Sequence, residues 1–253
     1  MENGPEGGGS MRILILGGTG EASALVRGLL AMDRRDAVTL SLAGRTSRPK
    51  PEPVPTRIGG FGGVEGLAAW LAQDRTDLVV DATHPFAARM SANAAEACTR
   101  TGTRLLAIRR PAWRPVAGDR WTTVPDMAAA ARALGPAPRR VFLTIGRQEV
   151  GAFAGAPQHD YVVRAIEDIA LAVPRLTSVQ ARGPFDAAAE AAFLAEGAIE
   201  VLVSKNSGGG ATYGKIAAAR ALGLPVVMVD RPEKPDVPSV PDVAAALGGI
   251  AAL

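Results

Sequence analysis

The sequence predicts an α/β fold built on parallel sheets, and three observations predict it. The 253 residues are 47% hydrophobic, enough to bury a sizeable core at a length between one large domain and two small ones. From Arg12 onward, short β-branched or leucine-rich runs alternate with alanine-rich segments of helical length, the pattern of parallel strands joined by crossover helices. The alternation breaks between 109 and 126, where Pro, Trp and Arg take over, and then restarts. Two α/β units of unequal size follow, 11–125 and 126–253, with a single extended sheet as the alternative arrangement.

Residues 1–10 are polar, Gly-rich and without periodicity, and read as a disordered tag or leader. Strands are expected at 12–16, 38–43, 78–82 and 105–108, with a weaker one at 57–58, each a short apolar run bounded by turn residues. Helices at 21–32, 64–73 and 87–101 fill the gaps, the last rich in alanine with one polar edge. The second unit reads as helix 127–134, strands 140–144 and 161–165, helix 186–196, strand 200–204, helix 212–222, strand 226–229 and a terminal helix from Val240. That last helix is very apolar and needs a partner surface in its own domain, the other domain or another subunit.

Composition narrows the function classes. Lys plus Arg number 28 against 25 Asp plus Glu, a net charge of +3, which is no nucleic-acid footprint. One cysteine, Cys98, excludes an internal disulfide framework, and His84 and His159 as the only histidines argue against a conventional zinc site. Redox chemistry must then come from an organic cofactor. No apolar run approaches the roughly 18 residues that span a bilayer, and the first ten residues lack the apolar core of a signal peptide. A soluble cytoplasmic protein, with no membrane partner, is expected.

The first strand runs straight into Gly17-Gly18-Thr19-Gly20-Glu21 and then a helix, placing backbone amides where a phosphate sits at a helix N-terminus. The match departs from G-x-G-x-x-G, since Ser23 stands at the third glycine position. An NAD-specific domain would carry Asp or Glu at the end of the second strand, whereas this one continues into Gly44-Arg45-Thr46-Ser47. Arg45 beside two hydroxyls suits an adenosine 2′-phosphate, so NADPH is the expected cofactor. A third strand ends in Asp81-Ala82-Thr83-His84-Pro85, a turn that should face the cofactor. There His84 either donates a proton or fixes the loop, and Asp81 is a candidate turn cap.

In the second unit a strand leads into Ser204-Lys205-Asn206-Ser207-Gly208-Gly209-Gly210, then Thr212-Tyr213-Gly214-Lys215. Gly209 to Lys215 spells G-x-x-x-x-G-K, yet Ile216 stands where a nucleoside triphosphatase needs Ser or Thr to ligate magnesium. This turn reads instead as a seat for a ligand carboxylate or phosphate. Arginines also gather after strands, at Arg109, Arg110, Arg114, Arg147, Arg164 and Arg182, and several guanidinium groups on different loops orient a polyanionic small molecule.

Three motifs in this order, GGTGE at 17–21, DATHPFA at 81–87 and SKNSGG at 204–209, with Lys215 and the segment LPVVMVDRP at 224–232, resemble the precorrin-6A reductase family of cobalamin biosynthesis. The resemblance covers roughly residues 11–232. It implies two Rossmann-like domains with the active site in the cleft between them, and an NADPH-dependent reduction of one carbon–carbon double bond of a polycarboxylate tetrapyrrole, by direct hydride transfer from the nicotinamide. On that basis Gly17, Gly18, Thr19, Gly20 and Glu21 serve the pyrophosphate and ribose, Arg45 and Thr46 the 2′-phosphate, and Thr83 the nicotinamide end. Arg110, Arg147, Lys205, Asn206, Ser207 and Gly208 are the substrate-binding candidates. His84, Lys205, Tyr213 and a bound water stay open as proton donor, and no metal is required.

Three other readings compete. A short-chain dehydrogenase needs Tyr-x-x-x-Lys, whereas Tyr213 precedes Lys215 by two residues; a reductase of another unsaturated metabolite leaves DATHPFA and SKNSGG without a role. A non-catalytic NADPH-sensing module would share the glycine turn and Arg45, and turnover separates it from an enzyme.

Overall fold

The computed structural model describes residues 10–32, 34–44 and 50–253 and divides into two units. The first holds β1 (Arg12–Leu16), α1 (Gly20–Leu30), β2 (Ala37–Leu42), β3 (Thr56–Ile58), α2 (Val64–Asp74), β4 (Leu78–Asp81), α3 (Ala88–Thr101) and β5 (Arg104–Ile108). The second holds β6 (Arg120–Val124), α4 (Met127–Ala133), β7 (Arg140–Thr144), a 3-10 turn (Val150–Gly155), β8 (Asp160–Ala165), β9 (Leu176–Gln180), α5 (Ala187–Glu196), β10 (Val201–Lys205), α6 (Gly214–Ala221) and β11 (Pro225–Val229). The chain then returns to the first unit as β12 (Ser239–Val240) and α7 (Val243–Ala251).

All strand pairs are parallel. The first sheet runs β3-β2-β1-β4-β5-β12 and the second β9-β8-β7-β10-β11-β6. The first is the doubly wound order 3-2-1-4-5-6, and the second repeats it with its sixth place taken by the strand that precedes its first. After the fifth strand of each sheet, the chain supplies the sixth strand of the other. The two sixth strands lead into matching segments, Val124-Pro125-Asp126-Met127 and Val240-Pro241-Asp242-Val243. Each Asp caps its helix alike: Asp126 Oδ1 accepts from Ala129 N at 2.7 Å and Asp242 Oδ1 from Ala245 N at 2.8 Å.

This connectivity moves the expected boundary. The units are divided after Arg110 and after Pro232, not between 125 and 126, because β6 pairs with β11 along its whole length. The stretch at 109–126 reads as a linker because β6 is an edge strand with Arg120, Thr122 and Thr123 exposed. The terminal helix starts at Val243 after a short strand, and its partner is α1 of the first unit: Ala246 and Ile250 share a core cluster with Leu25 and Leu29.

Alternation along β1 builds the first core on both sheet faces. Ile13 and Ile15 face α1 and α7, while Leu14 and Leu16 face α2 and α3 through Leu67, Leu71, Ala94 and Cys98. Burial pushes the Cys98 thiol up to about 12, an inert apolar filler. In the second unit Phe142, Val162, Leu202, Val226 and Met228 pack against Leu194 of α5 and Ile216 of α6. Among the described residues no helix is long and apolar enough to cross a membrane, and no group of three or more His, Cys, Asp or Glu side chains is placed to hold a metal ion.

Candidate functional site

The β1–α1 turn is shaped by its glycines and by Thr19. A Cβ at Gly17 would stand 2.6 Å from Leu40 Cδ1 and 3.2 Å from Ala22 Cβ, so this glycine lets the turn lie on β2 and α1. Gly18 has φ +100, a backbone state that disfavours side chains. A Cβ at Gly18 or Gly20 would meet nothing within 4 Å, so the backbone at the N-terminus of α1 stands open. Thr19 caps the helix by accepting from Ala22 N, and its hydroxyl donates to Ala82 O at 2.7 Å. One side chain thereby ties the glycine turn to the turn after β4. Leu16 and Asp81 are register partners, so both turns flank the switch point between β1 and β4.

Asp81 organises the second turn. Its carboxylate is 1% exposed; Oδ1 accepts from Thr83 N at 3.1 Å and Thr83 Oγ1 at 2.6 Å, and Oδ2 from Ser91 Oγ at 2.6 Å and Arg109 Nη2 at 2.8 Å. Burial alone would raise its pKa, but Arg109, Lys234 and the two hydroxyls outweigh burial and hold the group below the usual carboxylate range. Arg109 Nη1 is buried without a hydrogen-bond partner. His84 Nδ1 accepts from Phe86 N at 3.2 Å, which places the ring proton on Nε2. Lys234 reaches the same turn from the returning segment, its Nζ 3.3 Å from Thr83 Oγ1 and 3.1 Å from His84 O. Arg110 pairs with Glu21 at 2.6 Å, so two residues expected at different parts of a ligand hold each other. Arg45 and Thr46 lie outside the described residues.

The β10–α6 turn of the second unit is held from within. Asn206 Oδ1 accepts from Trp113 N at 2.8 Å and Nδ2 donates to Trp113 O at 3.0 Å, while the Trp113 indole N–H donates to Gly209 O at 2.8 Å. Arg231 donates to the carbonyls of Asn206 and Ser207 at 2.9 and 3.1 Å. Gly208 has φ +67, and a Cβ there would lie 2.1 Å from Pro111 O, so glycine alone fits. Lys205 Nζ donates to Glu149 Oε1 at 2.5 Å. Gly146 makes room for the pair, since a Cβ there would lie 2.6 Å from Glu149 Oε2.

The structure sorts the expected residues. It gathers Gly17 to Glu21, Thr83, His84 and Arg110 at the C-terminal ends of β1, β4 and β5, and Lys205 to Gly208 on one turn. Tyr213 instead supports the structure, with its ring 5.6 Å from that of Trp113 and its hydroxyl accepting from Arg220 at 2.5 Å. Arg147 pairs with Glu167. Arg164 is not a loop arginine; it pairs through both terminal nitrogens with buried Glu190 and lies 3.8 Å from the Phe185 ring centroid. Beside it Lys215 is buried, donating to Thr212 O at 2.8 Å. Burial, then the charge of Arg164, push the Lys215 ammonium down to about 7 against the opposing pull of Glu190. Sequence reasoning missed Lys234, Trp113 and Glu149, whose partners are distant in the chain, and underestimated Asp81, whose neighbours Thr83 and Ser91 were the available signal.

Parallel sheets in this winding order, with an open glycine turn entering a helix N-terminus at the switch point, define a Rossmann-like protein of the nucleotide-cofactor class. The family model of precorrin-6x reductase CbiJ/CobK matches residues 12–250, and the chain belongs to that family, an oxidoreductase. It is 57% identical over 222 residues to the precorrin-6A reductase of Sinorhizobium sp, covering 87% of this chain and 85% of the relative. It is 49% identical over 245 residues to that of Rhodococcus erythropolis, covering 96% and 98%. A solved structure, CobK precorrin-6A reductase, superposes with a TM-score of 0.91 at 46% identity over 96% of each chain.

Proposed function

We propose that the chain reduces one carbon–carbon double bond of the precorrin-6A macrocycle to give precorrin-6B, in the cytoplasm, with NADPH as reductant. The observation that carries this reading is the family match over residues 12–250, which takes in both sheets. The residues fit the nucleotide: Gly18 and Gly20 leave the α1 amides open to a pyrophosphate, and Arg109 Nη1 is a buried donor left for an oxygen of a bound molecule. When bound, NADPH supplies the hydride equivalent for the reduction.

The chain's own part is binding, orientation and proton delivery. Arg45 and Thr46, which follow β2 where an acidic residue would favour NAD, hold the 2′-phosphate. Glu21 serves the ribose, and Thr83 the nicotinamide end. Arg110, Arg147, Ser207 and the Gly208 amide bind carboxylate arms of the macrocycle, while Asn206 acts by fixing the turn around Trp113. Of the proton-donor candidates, His84 accepts at Nδ1 and so serves as a neutral Nε2–H donor of hydrogen bonds. Tyr213 is engaged by Arg220. Between Lys205, whose ammonium Glu149 holds in place, and a bound water, we assign delivery of the proton to Lys205.

Fluorescence titration with NADPH and with NADH tests the cofactor assignment. Wild type should prefer NADPH, and Arg45→Ala should weaken NADPH binding about 10- to 100-fold, the range for charge-assisted hydrogen bonds to phosphate, with NADH little changed. Equal affinity for both nucleotides in wild type would refute the 2′-phosphate assignment. Turnover of precorrin-6A under NADPH then tests the reaction itself, and separates it from a nucleotide-sensing role.

A further inference from the structure

The turn after β4 holds a hydroxyl whose proton is already assigned. Asp81 is ionised, its pKa lowered by Arg109, Lys234 and two hydroxyls against the effect of burial, so it accepts and cannot donate. At 2.6 Å from Asp81 Oδ1, Thr83 Oγ1 must therefore be the donor of that bond. The same Thr83 oxygen accepts from Lys234 Nζ at 3.3 Å, and Lys234 also donates to His84 O at 3.1 Å. A hydroxyl oxygen has one proton and two acceptor positions. The proton is committed to Asp81 and one acceptor position to Lys234, so the remaining position can only accept.

Lys234 reaches this place from far away in the chain, 151 residues beyond Thr83, on the segment that returns to the first unit ahead of β12. The turn it touches flanks the β1–β4 switch point, tied to the glycine turn through Thr19 and Ala82 O. We propose that Lys234 is a positioning residue of the cofactor site: Asp81 makes Thr83 an acceptor, and Lys234, bound to Thr83 Oγ1 and His84 O, holds the turn and leaves one acceptor position for the ligand, so that the turn selects a ligand presenting an N–H donor. The primary carboxamide of nicotinamide has that chemistry. The proposal rests on the nicotinamide-nucleotide reading above and adds a selectivity that the glycine turn cannot supply, because pyrophosphate contacts are blind to the carboxamide.

The test uses binding alone, with oxidised nucleotides so that no turnover intervenes. NADP+ and its 3-acetylpyridine analogue, in which a methyl group replaces the carboxamide NH2, are titrated into wild type, Thr83→Val, Lys234→Met and Lys234→Arg. Wild type should bind the carboxamide form about tenfold more tightly, the usual worth of one hydrogen bond between buried groups. Thr83→Val should bind both alike, Lys234→Met should lose most of the preference, and Lys234→Arg should recover part of it. A folded Lys234→Met protein with the wild-type preference overturns the role of Lys234. Should that variant not fold, an undiminished preference in Thr83→Val overturns the proposal instead. A wild type that binds both nucleotides equally overturns the proposal and leaves the cofactor assignment intact, whereas one that binds neither overturns both.

Discussion

Two lysines ten residues apart in the second unit do opposite things because their surroundings differ. Lys205 is paired with Glu149, which keeps its charge in place beside the Asn206–Gly208 turn. Lys205→Met should lower kcat by about 10²- to 10⁴-fold, the range for loss of a positioned acid, with nucleotide affinity unchanged; stopped-flow turnover and titration read the two separately, and an unchanged kcat would remove Lys205 as the proton source. Lys215 has no such carboxylate on its nitrogen, and burial lowers its ammonium pKa from 10.5 to about 7. Between those two values the unfolded chain holds a proton that the native protein has released, so native stability rises with pH through this window and the lysine is a cost below it. Lys215→Met should therefore stabilise the protein at pH 6.5 by on the order of a few kcal/mol, at about 1.4 kcal/mol per pK unit, and the gain should shrink toward pH 10. Denaturant midpoints across that range measure it, and parallel pH curves for the two proteins would contradict the assignment.

At the scale of elements, the ends of the helices show where side chain and backbone agree and where they conflict. Thr19, Asp126, Asp186 and Asp242 each cap a helix with a side-chain oxygen, and α3 ends on Gly102 in the left-handed conformation at φ 69, where glycine carries no penalty. Helix α2 ends in the same geometry on Arg75, at φ 53, a state that costs a residue with a Cβ roughly 1–2 kcal/mol. Arg75→Gly should thus raise the melting temperature, with a net gain of about 0.5–1 kcal/mol after the added flexibility of the unfolded chain is subtracted. A calorimetric scan decides the sign. The same elements show why strands differ in visibility. Strands β1, β4, β7 and β10, flanked on both sides and covered on both faces, read as unbroken apolar runs. At the sheet edges, β6, β9 and β12 escaped the reading and β3 was weak, because an edge strand buries less and its polar residues hide the pattern.

For the whole molecule, the return of the chain after Pro232 makes the first unit discontinuous. Removing 233–253 would take away β12, α7 and Lys234, uncovering Leu25 and Leu29 where Ala246 and Ile250 now pack. At about 1.5–3 kcal/mol per large buried side chain, that loss rivals the total stability of a domain. The truncated chain should lose hydrogen-exchange protection in β1, β4 and β5 while β7, β8 and β10 keep theirs; equal protection in both units would show that α7 is dispensable. The glycine turn, the DATHPFA and SKNSGG turns and the central strands were legible because each is a local signal, carried by a few adjacent residues whose backbone conformation or apolar run points to one structure. The sequence by itself thus determined the alternation of strands and helices and the position of the glycine turn. Tertiary structure alone decided that each sheet takes its sixth strand from beyond its neighbour's fifth, that the terminal helix covers α1, that Asn206 clasps Trp113, and that Lys234 arrives at Thr83. These pairings join residues far apart in the chain, and they depend on which buried donors, acceptors and apolar faces are left to satisfy once the local elements have formed.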